Sequence, residues 1–336
     1  MSLPQVNVSP EKLYRMCYAS VQSSLLLTGI KLKVFNHLSK PQTADQLARV
    51  INGHPKNTML FLNGLVACDL LLKKRGIYSN TPIAQTFLVE GYSTSLGKGF
   101  IHQGSMYGLM PEDLSTLVLN GPPSLENRMD TGEKWGHNAT WMANNERSGI
   151  AQQMSDIVSA LPEFSSFEKM LDLGGGPGIF GIAIVDKHPT MKGTVFDQKP
   201  VVEVAKGFIR EYGLESRIDV LAGDFNKDSL GKGYDLIWAS STLNFAQNNM
   251  EKVMKKIHEA LNPKGVFINL SEGLTHEGTK PDFFVFCTLV WAMQNPMRPF
   301  DQGVIADAML NAGFKTVKSR ILQTCWGQMD MDIARK

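Results

Sequence analysis

The 336-residue chain is short of the features that mark several protein classes. It has only four cysteines, Cys17, Cys68, Cys287 and Cys325, far apart and without a Cys-x-x-Cys pair. That argues against a zinc ribbon and against a disulfide framework, and leaves four reduced thiols in a cytoplasmic protein as the expectation. No cluster of His, Cys and Asp has metal-ligand spacing, so no metal is expected. No apolar run approaches the length of a membrane span; the longest candidate, Phe283–Met293, reads as a buried helix or pocket wall. Met1–Pro10 lacks the basic-then-apolar pattern of a signal peptide. An excess of one charge is missing too: a net charge of +2 gives no global field for nucleic acid or an anionic membrane. There is no internal repeat and no low-complexity stretch.

What is present suits a globular protein. Hydrophobic residues make up 43% of the chain and charged residues 20%. The length exceeds one ordinary core and suits two domains. The 17 methionines are core filler on the simpler account, and an adaptable apolar pocket on the functional one.

Residues 10–100 read as short helices ending in a hairpin. Leu25–Leu38 carries apolar residues at helical spacing, with Gly29 as a tolerated interruption. Thr43 and Gln46 have the spacing of a capping box at a helix start. Asn57–Leu72 reads as a second amphipathic helix, and the segment from Leu71 to Asn80 as strand, basic turn, strand. Helix, turn, helix and wing together form a winged-helix pattern. The would-be recognition helix presents Leu60, Phe61, Leu62, Leu65 and Val66 where a DNA reader needs Arg, Lys, Asn or Gln. Its face suits a dimer interface or a core better than nucleic acid. Residues 100–165 read as helices, with a loop at Gly121-Pro-Pro and one long helix over Trp141–Leu161.

From Lys169 the pattern changes to alternation. Strands are expected at Lys169–Leu173, Lys192–Phe196, Ile218–Ala222, Tyr234–Ala239, Gly265–Leu270 and Thr316–Leu322. Helices between them include Val201–Tyr212, Met250–Leu261 and Val304–Ala312. Such alternation predicts an α/β fold with a Rossmann-like, doubly wound parallel sheet. The expected division is a winged-helix-like domain over 1–100, substrate-side helices over 101–165 and the α/β domain over 166–336.

Ligands bind such sheets at the carboxyl ends of the strands, and the chemistry-bearing residues fall there. Asp172-Leu-Gly-Gly-Gly-Pro-Gly follows an apolar strand and opens an apolar helix. Its glycines, Gly174, Gly175, Gly176 and Gly178, let backbone turn sharply and approach a ligand closely. The run is neither a GxxxxGK[ST] phosphate loop nor a clean GxGxxG. Asp197 ends the second strand and can accept from both hydroxyls of a ribose. Gly223, Asp224 and Phe225 end the third; Asp224 can accept from an adenine amino group while Phe225 packs on the ring. Any one of these acids is easily a cap or turn aspartate. Their convergence with the glycine loop on one crevice favours a binding site.

Asp172–Gly178, Asp197 and Gly223-Asp224-Phe225 resemble the S-adenosylmethionine motifs of class I methyltransferases. The winged-helix-like first half, the segment Trp141–Leu161 leading into the glycine loop, and the C-terminal strand order narrow the likeness. They resemble the caffeate/acetylserotonin type of O-methyltransferase over nearly the whole chain. The resemblance implies S-adenosyl-L-methionine as cofactor, with Ser240 joining the residues above in binding it. It also implies a small-molecule acceptor, and a homodimer held by the N-terminal domain whose partner contributes to the substrate pocket. No nucleic acid or membrane partner is expected.

The chain departs from that family at the acceptor. Family members that methylate hydroxyls use a histidine base after the fourth strand; here Asn244 stands at that place, in Leu243-Asn-Phe-Ala-Gln. The companion acid matches Glu272, but the second orienting glutamate has no counterpart near 298–300. A neutral amide is no base at pH 7, although it positions ligands by hydrogen bonds. Three readings follow. The acceptor needs no deprotonation or arrives ionised; another group such as His102, His137 or Glu272 takes the proton; or the chain binds cofactor and does different chemistry. Both histidines are as readily structural. Met106, Tyr107, Met110, Trp135, Phe283, Cys287 and Trp291 are the expected pocket walls, placed there by the resemblance, and simple core is the alternative. Rivals to methyl transfer are a Rossmann oxidoreductase, a ligand-sensing winged-helix regulator and a catalytically dead partner subunit.

Overall fold

The computed structural model describes residues 7–107, 111–122, 132–294 and 299–336, with backbone alone for 105–107, 111, 112, 132–134, 137 and 247. Met110 and the side chains of Met106, Tyr107 and His137 therefore lie outside the described residues. The chain divides into two compact units, Met1–Gly108 and Leu109–Lys336.

The first unit contains α1 (Glu11–Lys31), α2 (Val34–His37), β1 (Gln42–Thr43), α3 (Ala44–Val50), α4 (Pro55–Ala67), β2 (Leu71–Lys74), β3 (Ile77–Asn80), α5 (Pro82–Phe87) and α6 (Gly97–Tyr107). Its core gathers Val34, Phe35, Leu38, Leu47, Leu62, Leu65, Leu71 and Tyr78. The capping box is present: Thr43 accepts from the Gln46 amide while Gln46 returns a bond to the Thr43 amide. The helix expected over Leu25–Leu38 is instead the end of a longer α1 and a separate α2. The chain turns at Lys33, whose φ of 54° is left-handed. Gly29 is where the Phe35 ring packs, 3.0 Å from where a Cβ would stand. Helix α4 stops at Ala67 rather than Leu72, because Asp69 turns left-handed and leads into the antiparallel β2–β3 hairpin. That hairpin turns on Arg75 and Gly76, both with positive φ, the tight turn that matches strand twist. On α1, Leu13, Tyr14, Met16, Tyr18 and Val21 remain exposed.

The second unit contains α7 (Pro111–Asn120), α8 (Gly132–Asn145), a π-helical turn (Glu146–Ile150), α9 (Ala151–Ser159), β4 (Lys169–Leu173), α10 (Ile179–Asp186), β5 (Lys192–Asp197), α11 (Lys199–Glu211), β6 (Ile218–Ala222), β7 (Tyr234–Ser240), a 3₁₀ segment (Leu243–Asn249), α12 (Met250–Ala260), β8 (Leu261–Ser271), α13 (Asp282–Gln294), α14 (Val304–Asn311), β9 (Thr316–Thr324) and β10 (Gly327–Arg335). The strands form one sheet in the order β6-β5-β4-β7-β8-β10-β9. Strands β4 to β8 run parallel and β10 runs antiparallel to both its neighbours. The order reverses beside β4, and β4 leads directly into the glycine loop. Alternate residues feed two cores: Met170, Leu236, Trp238 and Ile268 on one face, and Leu171, Phe196, Ile237 and Phe267 on the other.

One expectation fails here for a local reason. The helix expected over Trp141–Leu161 is broken, because Gly149 adopts φ 127° within the π turn and redirects the chain. Strand β10 lies outside the expected strands, although it alternates Met329, Met331 and Ile333 with Asp330 and Asp332. Both acids are buried, so the polar half of the pattern does not face water.

Candidate active site

The glycine loop is held from several sides. The Gly174 and Gly175 amides donate to the Phe196 carbonyl at 2.8 and 3.2 Å, and the Gly176 amide donates to Asp197 Oδ2 at 2.8 Å. Asp172, buried beneath the loop, accepts from the Gly181 amide at 2.9 Å. A Cβ at Gly175 would stand 2.6 Å from the Asp172 carboxyl carbon, and one at Gly174 would stand 2.3 Å from Thr242 Cγ2. Gly174, Gly176 and Gly178 all have positive φ. Glycine is thus required for space and for conformation. Thr242 has no sequence expectation, yet its hydroxyl lies within 3.1–3.2 Å of the Leu173 and Gly174 carbonyls and the carbonyl of Ser240 at the end of β7, sharing its one hydrogen among them. Burial raises the Asp172 carboxyl to about 7, opposed by the Gly181 bond and assisted by the charge of Asp197. Burial also raises Asp197, against its bonds to the Gln198 and Gly176 amides.

The third strand end is arranged differently. Burial acts to raise Asp224, but Lys227 at 3.0 Å and the Asn226 amide at 2.9 Å outweigh it and hold the carboxyl below its usual range. Asp224 is therefore a turn-closing aspartate as well as a candidate acceptor. Gly223 lets the chain pass Phe196, whose ring carbon would lie 2.7 Å from a Cβ. Phe225 packs against the second core, and Lys256 holds its carbonyl at 2.7 Å. Asn226 ties this turn to the next by donating to the Phe245 carbonyl at 3.1 Å.

Asn244 and Glu272, both buried, meet: Asn244 Nδ2 donates to Glu272 Oε2 at 3.1 Å. Among the described residues, Asn244 Oδ1 is buried with no hydrogen-bond partner. Beside them Phe245 meets Trp135 edge-on at 5.6 Å and Trp291 at 6.0 Å. Phe245 is a wall that sequence reasoning passed over, although it follows Asn244 directly. Burial, and then the charge of Glu272, pushes the Cys287 thiol up to about 12, which keeps it protonated. The expected inward face of α13 needs correction. Phe284 and Val290 are its buried residues, whereas Phe283 is 49% exposed and packs beside Gly327. His102 belongs to the first unit, on α6.

Helix α8 completes the cluster. Gly136 brings it against Pro200 at the start of α11, with 3.2 Å from a built Cβ to the Pro200 carbonyl oxygen. Trp135 and Met142, seven positions apart, lie on one face. Trp135 reaches Phe245, and the Met142 methyl lies 3.3 Å from where a Gly176 Cβ would be. One turn on, Glu146 is 5% exposed, and its carboxyl is raised well above the ordinary range by burial and then by the charge of Asp172.

Comparison with known proteins agrees with this architecture. The family model for the O-methyltransferase domain matches residues 137–290, and that for the O-methyltransferase dimerisation domain matches 14–90. A protein of Methanocaldococcus jannaschii without assigned function is 30% identical over 80% of this chain and 73% of its own. Acetylserotonin O-methyltransferase of Bos taurus is 25% identical over 94% of each chain. The solved structure of human N-acetylserotonin methyltransferase in complex with S-adenosylmethionine superposes with a TM-score of 0.79 over 99% of both chains, at 22% identity. The glycine-lined loop, the strand-end carboxylates and the two domain matches together place this chain in the O-methyltransferase family, whose members use S-adenosylmethionine.

Proposed function

We propose that the chain transfers a methyl group to a small acceptor held between the Asn244–Glu272 pair and the aromatic cluster of Trp135, Phe245 and Trp291. The residues fit the cofactor. The loop admits no Cβ at Gly174 or Gly175, and Asp197 spends one lone pair on Gly176 and one on Gln198, leaving others for ribose hydroxyls. Gly223, Asp224 and Phe225 edge the adenine side. When bound, S-adenosylmethionine supplies an electrophilic methyl on sulfur.

The single observation that carries the acceptor reading is the unpartnered Asn244 Oδ1. Its Nδ2 is committed to Glu272, so the amide is oriented with its oxygen free to accept. It receives an O–H or N–H elsewhere on the acceptor, beside the attacking atom, and so aims the nucleophile without taking a proton. Acceptors that need no strong base at neutral pH follow: an acidic phenol, a carboxylate, a thiolate or a thioether. For these, proximity and orientation supply much of the rate. We further infer a homodimer through the first unit, supported by the dimerisation-domain match and the exposed apolar residues of α1. Among the described residues no helix is long and apolar enough to cross a membrane.

Calorimetric titration with S-adenosylmethionine and S-adenosylhomocysteine, followed by a labelled-methyl screen of these acceptors, tests the reading. Binding with transfer supports it. Binding without transfer to any class favours a cofactor-binding chain that does not methylate, which Asn244 in the base position also allows. No binding by folded protein overturns the cofactor half.

A further inference from the structure

Glu146 is the most conspicuous buried group that the mechanism above does not use. Its Oε2 is enclosed and has no hydrogen-bond partner among the described residues, a costly state for a carboxylate. The charge of the neighbouring Arg147 offsets this only in part. That guanidinium bonds Glu211 at 2.9 Å and lies over the rings of Phe208 and Tyr212, at 4.7 and 5.1 Å. The carboxylate closest in influence is Asp172, a like charge beneath the glycine loop. The π turn that begins at Glu146 includes Gly149 at φ 127°, and π turns inside helices gather at functional sites.

The position of Glu146 directly after α8 indicates what it meets. Trp135, Met142 and Glu146 follow one another at seven and four residues, the spacing of one helix face. Trp135 stands at Phe245 and Met142 at Gly176, so this face runs from the acceptor cluster past the loop, and Glu146 continues it away from Trp135. The rise from Trp135 to Glu146 is roughly 16 Å at 1.5 Å per residue. A base for the acceptor would be needed at the Trp135 end. With Asp197 on the ribose and Asp224 on the adenine, the amino-acid tail of the cofactor falls toward β4 and α8. Two buried carboxylates there call for a cation that donates hydrogen bonds. A sulfonium has no hydrogen to give; an α-ammonium has three.

We propose that Glu146 is the anionic partner of the α-ammonium of the cofactor's methionine portion. The assignment rests on the cofactor reading above. Its test is calorimetric titration of wild type and Glu146→Gln, as full chains, with three ligands: S-adenosylmethionine, S-adenosylhomocysteine and 5′-methylthioadenosine. The last keeps the nucleoside and the sulfur but lacks the amino-acid tail. The expected result is a loss of about 10- to 100-fold for the first two and less than about 2-fold for the third, as for a charge-assisted hydrogen bond. Unchanged affinity for all three overturns the proposal. So does an equal loss for all three, which marks a structural role, or a loss for S-adenosylmethionine alone, which marks the sulfonium. If Glu146→Gln fails to fold, wild type titrated with S-adenosylhomocysteine and its deaminated analogue tests whether the α-ammonium is recognised at all, and equal affinities overturn the proposal. If folded wild type binds neither S-adenosylmethionine nor S-adenosylhomocysteine, the cofactor reading fails and this inference with it.

Discussion

The glycine loop and the acceptor end of the candidate site differ in how far their polar groups are satisfied. At the cofactor end, the amides of Gly174, Gly175, Gly176 and Gly181 all have partners, and Thr242 braces the loop from below. At the acceptor end one bond joins Asn244 to Glu272, and an amide oxygen is left over. A backbone loop can be organised by its own chain before any ligand arrives. An acceptor site is completed by the acceptor, so its unmet hydrogen-bonding capacity describes the molecule that belongs there.

The comparison can be broken or sharpened by measurement. Asp197→Ala removes the carboxylate shared by loop and ribose and should weaken S-adenosylmethionine about 100-fold in calorimetry; unchanged affinity would remove Asp197 from the cofactor end. Gly175→Ala drives a Cβ into the Asp172 carboxyl and should lower stability by about 1–3 kcal/mol in chemical denaturation, with cofactor binding lost alongside. At the other end, Asn244→Ala should leave cofactor affinity within about 2-fold and reduce kcat/KM for an active acceptor about 10-fold. A parallel loss of cofactor affinity would show that the two ends are not separable.

Asp172 gives a pH signature. Its folded value of about 7 lies above the ordinary 3.8, so between these the folded chain holds more proton than the unfolded one. Its contribution to stability is full below pH 3.8 and is lost as pH rises through about 7. Thermal melts of the cofactor-free protein from pH 5 to 8 should therefore fall less steeply for Asp172→Asn than for wild type, and parallel slopes would refute the assignment. The smallest effect concerns Cys287. With its thiol pushed up to about 12 and half-buried, it should alkylate after the exposed Cys325 when iodoacetamide labelling is followed by mass spectrometry at pH 8.

Legibility in the sequence followed the range of the interactions. The parallel strands and the glycine loop were readable because apolar runs and glycine spacing are local signals. The pairing of Asn244 with Glu272 was readable only through the family resemblance, since 28 residues separate them. Thr242, Phe245 and Glu146 carried no signal. A threonine, a phenylalanine and a glutamate look ordinary until another element packs on them. The breaks at Lys33 and Gly149 were missed because an apolar helical period continues across both.

By itself, then, the sequence determined the order of helices and strands, the capping box at Thr43, the hairpin turn at Arg75-Gly76 and the glycine loop after β4. Each depends on residues within a few positions of one another, where backbone sterics and short hydrogen bonds decide the outcome. Only the tertiary structure decided that Phe283 stays half-exposed and that Asn244 and Glu146 keep unpaired oxygens. Burial and partnership of a polar group depend on what distant segments bring against it, and its charge state and hydrogen-bonding capacity follow from that packing.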